Sequence, residues 1–146
     1  MQKYCFSEED TIETDGHVLH RIKALRDIPY ANVGAGDFGG WIEKEENLSQ
    51  VGDAWVSEHA SVYDDAWVYG DAQIRGNARV YGRAQVYNRA RIFDDVRVYD
   101  DAIVYEDAII SGAARVYGSA RIHGDADIED GDWSSCDHCG TLYDEF

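Results

Sequence analysis

A chain of 146 residues has room for one domain, and 29 acidic side chains against 13 basic ones leave a net charge of −16. That balance repels DNA, RNA and anionic membrane surfaces over most orientations, so it argues against a nucleic-acid or membrane partner and favours a basic protein. No apolar run reaches the roughly 18–20 residues of a membrane helix, and MQKYCFSEED has no apolar signal core. Three cysteines, Cys5, Cys136 and Cys139, are an odd number for a disulfide framework. The expectation is a soluble, cytoplasmic protein with reduced thiols.

Residues 1–53 follow no strict repeat and are read as a β-rich cap. KYCF and HVLHRIKAL alternate as strands do, around the turn TDG, while IPYANVGAGDFGGWI is rich in turn formers and holds the sole proline. Trp41 is expected to cover the open end of whatever follows. GAGDFGG lacks the lysine that would make it a phosphate-cradling loop.

From 54 to 129 the chain repeats every six residues. Val or Ile stands at 56, 62, 68 and on through Ile128, and two residues before each stands Ala, with Val96 the exception. The last two residues of each hexad are mostly Gly, Asp, Asn or Glu. A helix has no face of period six; a short strand followed by a corner does. ARVYG at 78–82 and 114–118, with VRVYD at 96–100 between them, shows a longer period of 18 residues. The pattern resembles the left-handed parallel β-helix repeats, and that resemblance implies three hexads per triangular coil. The fold expected is all-β: a short left-handed parallel β-helix of about four coils with a small β-rich N-terminal cap.

Sorting by 18 gives three outward walls. The first, with Trp55/Ser57, Gln73/Arg75, Arg91/Phe93 and Ile109/Ser111, shares no theme and looks generic. The second carries Arg79/Tyr81, Arg97/Tyr99 and Arg115/Tyr117, and these six are the candidate partner-binding residues, since Tyr and Arg offer large, semi-rigid, hydrogen-bonding contact area. The third carries Trp67, Tyr69, Tyr87, Ile103 and Tyr105, an apolar stripe that would be a liability if bare and is assigned to an oligomer interface, a trimer being favoured. At the corners, Arg83 should sit between Asp65 and Asp101, and Arg89 between Asp71 and Asp107, as layered ion pairs.

Residues 130–146, DGDWSSCDHCGTLYDEF, leave the repeat, with Trp133 expected to cover the last coil. Cys136 and Cys139 flank His138 at a spacing that is half a zinc site; Cys5, His17 and His20 could complete it only if the two chain ends met, so no metal is assigned. The coil histidines, His59 and His123, have no protruding loop beside them with which to build a pocket, and no catalytic residue or cofactor is assigned.

KYCFSEE, HRIKALRDI, FGGWIEKEENLSQ and the entry into GDAWV resemble the opening of a family of hexapeptide-repeat proteins in bacteria and phages, often labelled transferases. The resemblance implies an acyl-CoA-dependent transferase with an intersubunit site as one reading. The residues themselves favour another, a non-enzymatic protein-binding module, in its phage-borne form an inhibitor of a host defence or DNA-binding factor.

Overall fold

Each A-x-V-x unit folds as a strand of two residues, or three at Arg115–Tyr117, and the computed structural model describes residues 2–134 and 137–138. The small Ala and the branched Val or Ile point inward, while the residues flanking Val or Ile point out, because side chains alternate along a strand. The inward residues are fully buried from Ala54 to Ile128. Each buried Val or Ile contributes about 1.5–3 kcal/mol, provided the coils on either side are present.

Three parallel walls result. The first stacks β4 (Trp55–Val56), β7 (Gln73–Ile74), β10 (Arg91–Ile92), β13 (Ile109–Ile110) and β16 (Asp127–Ile128). The second stacks β5 (Ser61–Val62), β8 (Arg79–Val80), β11 (Arg97–Val98), β14 (Arg115–Tyr117) and β17 (Asp132–Ser134). The third stacks β6 (Trp67–Val68), β9 (Gln85–Val86), β12 (Ile103–Val104), β15 (Arg121–Ile122) and β18 (Asp137–His138). Register advances by 18 residues through the regular hexads, as in Arg97↔Arg79 and Val98↔Val80, and by 17 and 16 at β17 and β18; the rungs bond through contacts such as Ser61 N–H to Ala78 O at 3.0 Å. The protein is a parallel β-solenoid with a small N-terminal cap.

The cap extends the second wall. A hairpin of β1 (Tyr4–Thr14) and β2 (His17–Ala24) lies antiparallel to β3 (Phe38–Ile42), and β3 runs parallel to β5. Ile42 stands over Val62 and Leu48 over Val68, so two aliphatic residues six apart already occupy solenoid positions before the regular hexads begin. At the other end β17 completes the eight-stranded sheet of the second wall, and β18 brings the third wall to five strands, as many as the first.

Polar side chains of the EKEENLSQ stretch hold this first turn. Asn47 is buried and uses both ends of its amide: Oδ1 accepts from the N–H groups of Glu43 and Lys44, and Nδ2 donates to the carbonyls of Asp64 and Ala66. Gln50 Oε1 accepts from Lys3 and Tyr4 N–H, and the Tyr4 hydroxyl donates to Leu48 O at 2.6 Å. Lys3 Nζ is buried against the corner carbonyls of Ala54, at 2.7 Å, and Gly52, at 3.3 Å. Burial, aided by Arg26, lowers its pKa to about 8.

Tyr4, Ile22, Ile28 and Ile42 join the buried core at the cap end, where Trp41 was expected. Trp41 instead sits opposite Ser61 and is half-buried, because Ile42 is the residue of that strand that points inward. The buried tryptophan is Trp55, packed edge-on to Tyr4 at 6.4 Å. At the far end Trp133 stands in register with Val116 and packs partly buried against the core.

Candidate functional site

The second wall brings its tyrosines into one column. Tyr63, Tyr81, Tyr99 and Tyr117 stack nearly parallel, with ring centroids 5.1–5.3 Å apart. The spacing is that of the rungs, about 4.8 Å, slightly lengthened by offset stacking. The top of the column is covered: Tyr63 is buried, and its hydroxyl donates to Asp15 Oδ2 of the hairpin turn at 3.0 Å. Arg79 also leans toward Asp15, at 4.0 Å. Below it, Tyr81, Tyr99 and Tyr117 are half-exposed, and Arg97 and Arg115 stand exposed beside them. Burial by its neighbours pushes the Tyr99 hydroxyl above its ordinary pKa, so it remains a neutral donor.

The third wall carries a second column, Tyr69, Tyr87, Tyr105 and His123, at 4.7, 5.3 and 4.9 Å. Trp67 lies against Tyr69 at 3.9 Å and is 45% exposed, with Ile103 half-buried lower on the same face. His123 Nδ1 lies 3.3 Å from Glu106. His59 is exposed at a corner. The corners between hexads are tight turns, and within the repeat no loop rises beside either histidine.

The corner ion pairs form on one side only. Arg83 reaches Asp101 through both Nε and Nη2, at 2.9 and 3.0 Å, and Arg89 reaches Asp107 at 3.0 Å. The acids expected on the other side have different partners: Asp65 binds Lys44 at 2.9 Å, and Asp71 accepts from the Asp53 N–H at 3.2 Å. The carboxylates of the cap's lower edge and the first corner are therefore used to fasten the cap.

Two features escaped the sequence reading. One is a clamp: His17 at the hairpin turn lies between Glu43 Oε2, 2.9 Å from Nδ1, and Asp64 Oδ1, 2.8 Å from Nε2, over the Tyr63 ring at 5.2 Å. The hydrogen bond to Glu43, opposed by partial burial and reinforced by the Asp64 charge, raises the His17 pKa. Burial alone would raise Glu43, but the bonds from His17 and from Asp64 N–H outweigh it and hold that carboxyl low. His20 is stacked instead on Phe6 at 4.9 Å, and Cys5 is a half-buried free thiol. Cys136 and Cys139 lie outside the described residues.

The other is a groove of about 690 Å³ over the first wall, the one that looked generic. Its floor is Trp55, Gln73, Arg75 and Arg91; its overhang is the loop around Tyr30 and Asn32, with Arg21 and Phe38. The indole Nε1 of Trp55 is the one buried side-chain nitrogen or oxygen without a hydrogen-bond partner among the described residues. The arginines were visible in the repeat. The overhang was not, because it comes from a loop folded back from the non-repetitive cap.

No helix among the described residues is long and apolar enough to cross a membrane. No curated protein matches the chain. A family model described as YdcK beta-solenoid repeat matches residues 90–106 and 96–112, two windows offset by one hexad, so the coils are similar to that repeat over the centre of the solenoid.

Proposed function

We propose that the protein is a non-enzymatic binding module that offers the lower second wall, Arg97, Tyr99, Arg115 and Tyr117, to a partner protein. One observation carries the reading: three half-exposed tyrosines held in a rigid stack beside two exposed arginines, with no ion pair to either arginine among the described residues. Rigid aromatic area with unspent hydrogen-bond donors is what binding hot spots use, and a preformed stack loses little side-chain entropy on docking. The net charge of −16 favours a partner with a basic surface, contacted by the surrounding corner acids. The tight corners of the coils, which add no loop within the repeat beside His59 or His123, support this over the acyl-CoA-dependent transferase, although His59 does line a groove with Arg21 and Trp41 of the cap. An inhibitor of a host factor, encoded by a phage, is the specific form the reading takes. The third wall, from Trp67 to Tyr105, is proposed as the face on which copies of the chain associate.

The test is affinity capture with the immobilised protein, comparing wild type with Arg97→Ala/Tyr99→Ala. A partner that is retained by wild type, binds purified protein one-to-one and weakens about thirtyfold with the double variant is expected. Turnover of acetyl-CoA by the purified protein would overturn the reading in favour of the transferase.

A further inference from the structure

Two arginines of the first wall are left without partners in a molecule with a large excess of acid. Arg26, Arg79, Arg83 and Arg89 each have a carboxylate within 4.0 Å. Arg75 and Arg91 are exposed, lie in the same groove, and make no ion pair or side-chain hydrogen bond among the described residues. The acids closest by are engaged with backbone: Glu58 Oε1 accepts from Gly76 N–H at 2.7 Å, Asp94 Oδ2 from Gly112 N–H at 2.9 Å, and Asp37 Oδ2 from Gly34 N–H at 2.8 Å. Those carboxylates fix corners and the loop; the two guanidiniums fix nothing.

The overhang is itself well tied. Ile28 and Val33 exchange backbone bonds at 2.8 and 3.1 Å, and Ala35 N–H donates to Asp27 Oδ1 at 2.9 Å. A third cation, Arg21, is braced there by Gly39 O at 3.4 Å and lies 4.6 Å over the Phe38 ring. Tyr30 and Phe38 are 42% and 47% exposed at the rim, while the partnerless indole of Trp55 lies in the floor. The volume falls in the range of about 300–1,000 Å³ typical of small-molecule sites. Guanidiniums call for an oxyanion, and pairs of them suit phosphate. The aromatic rim calls for a flat apolar part. A polyanion is disfavoured by the acidic surface outside the groove, whereas a single phosphate is small enough to lie within it beside Arg75 and Arg91.

We propose that this groove binds a small organic phosphate carrying a planar ring, of the nucleoside monophosphate class, with the phosphate on Arg75 and Arg91 and the ring against Tyr30 and Phe38. The site is separate from the second wall and does not depend on the protein-binding reading.

The experiment is calorimetric titration of the full chain with adenosine monophosphate, adenosine and inorganic phosphate in turn. It is repeated on Arg75→Gln/Arg91→Gln, on Tyr30→Ala, and on the second-wall control Arg97→Gln/Arg115→Gln, each checked by circular dichroism. Adenosine monophosphate should bind wild type and the control alike, weaken at least about tenfold in the first variant, and bind more tightly than either fragment. Tyr30→Ala should lower its affinity while leaving that of inorganic phosphate unchanged. Absence of binding at about 1 mM, equal affinity in the Arg75/Arg91 variant, or equal loss in the control overturns the site. Inorganic phosphate binding as tightly as the nucleotide overturns the part assigned to the ring.

Discussion

His17 shows how one side chain ties a cap to a solenoid. Both ring nitrogens face carboxylate oxygens, so the imidazolium form donates twice, to Glu43 and to Asp64, with Asp15 adding its charge and the Tyr63 ring lying tilted against it. Its pKa is raised above the ordinary 6.5 in the folded chain. Stability from this group is therefore fully present below the unfolded pKa and disappears as pH rises through the higher folded value. Lys3 acts in the opposite sense, since its folded pKa of about 8 lies below 10.5 and the cost of burying its charge is relieved as pH climbs between the two. His17→Phe keeps an aromatic ring beside Tyr63 and removes the charge together with both hydrogen bonds. Unfolding free energies of wild type and His17→Phe in urea should differ by about 1 kcal/mol more at about pH 5.5 than at about pH 9, where the neutral imidazole keeps a single donated hydrogen bond. The Lys3 effect cancels in that difference. A gap that does not change with pH would mean the clamp is held by shape and not by charge.

At the scale of the element, the corner decides which residues a hexad tolerates. Two residues after each inward Val or Ile the backbone is left-handed, with φ near +60° from Glu58 to Gly124. Along the second wall the occupants alternate, Asp64, Gly82, Asp100, Gly118, and the acid of one coil accepts the N–H of the next: Asp64 from Gly82 at 3.1 Å and Asp100 from Gly118 at 3.0 Å. Gly82 has no such freedom of substitution, for a Cβ there would stand 2.8 Å from Asp100 N. Gly82→Ala should thus lose about 1–3 kcal/mol in urea denaturation, from left-handed strain and collision together. Asp100→Asn, which keeps both the tolerated conformation and an acceptor, should change stability by less than about 0.5 kcal/mol. Equal effects would show that the corner is set by the strands alone. Gly39 is constrained for a different reason: an added Cβ would meet Val56 O at 2.6 Å and Trp55 at 2.7 Å, which is why FGGW can lie flat on the first coil.

For the whole molecule, a prism with two aromatic columns raises the question of what covers them. The second-wall column is sealed at the top by the hairpin and half-exposed below; the third-wall column begins at Trp67, 45% exposed, and continues through half-buried Tyr69 and Tyr87. Light scattering of wild type and of Tyr87→Glu/Tyr105→Glu should give an oligomer, expected as a trimer, and a folded monomer respectively. A monomeric wild type would remove the intersubunit transferase site along with the association face.

The period of six, the length of the coil, the inward column and the two tyrosine columns were all legible in the sequence, because in a solenoid the outward address of a residue is its number modulo 18. The sequence also marked the cap as something other than repeat. It could not show that Ile42 and Leu48 already belong to the first turn, since two additional residues at the Ser49–Asp53 corner break the count without breaking the stacking. Nor could it show which arginines are spent and which are free: Arg83 and Arg89 find acids in the next coil, Arg79 finds one in the hairpin, and Arg75 and Arg91 find none. Those outcomes depend on where the cap folds back over the walls. Repetition fixes neighbours within the solenoid, whereas the overhang of a non-repeating segment is decided by long-range packing, which brings Asp15 to Tyr63 and Tyr30 over Arg75.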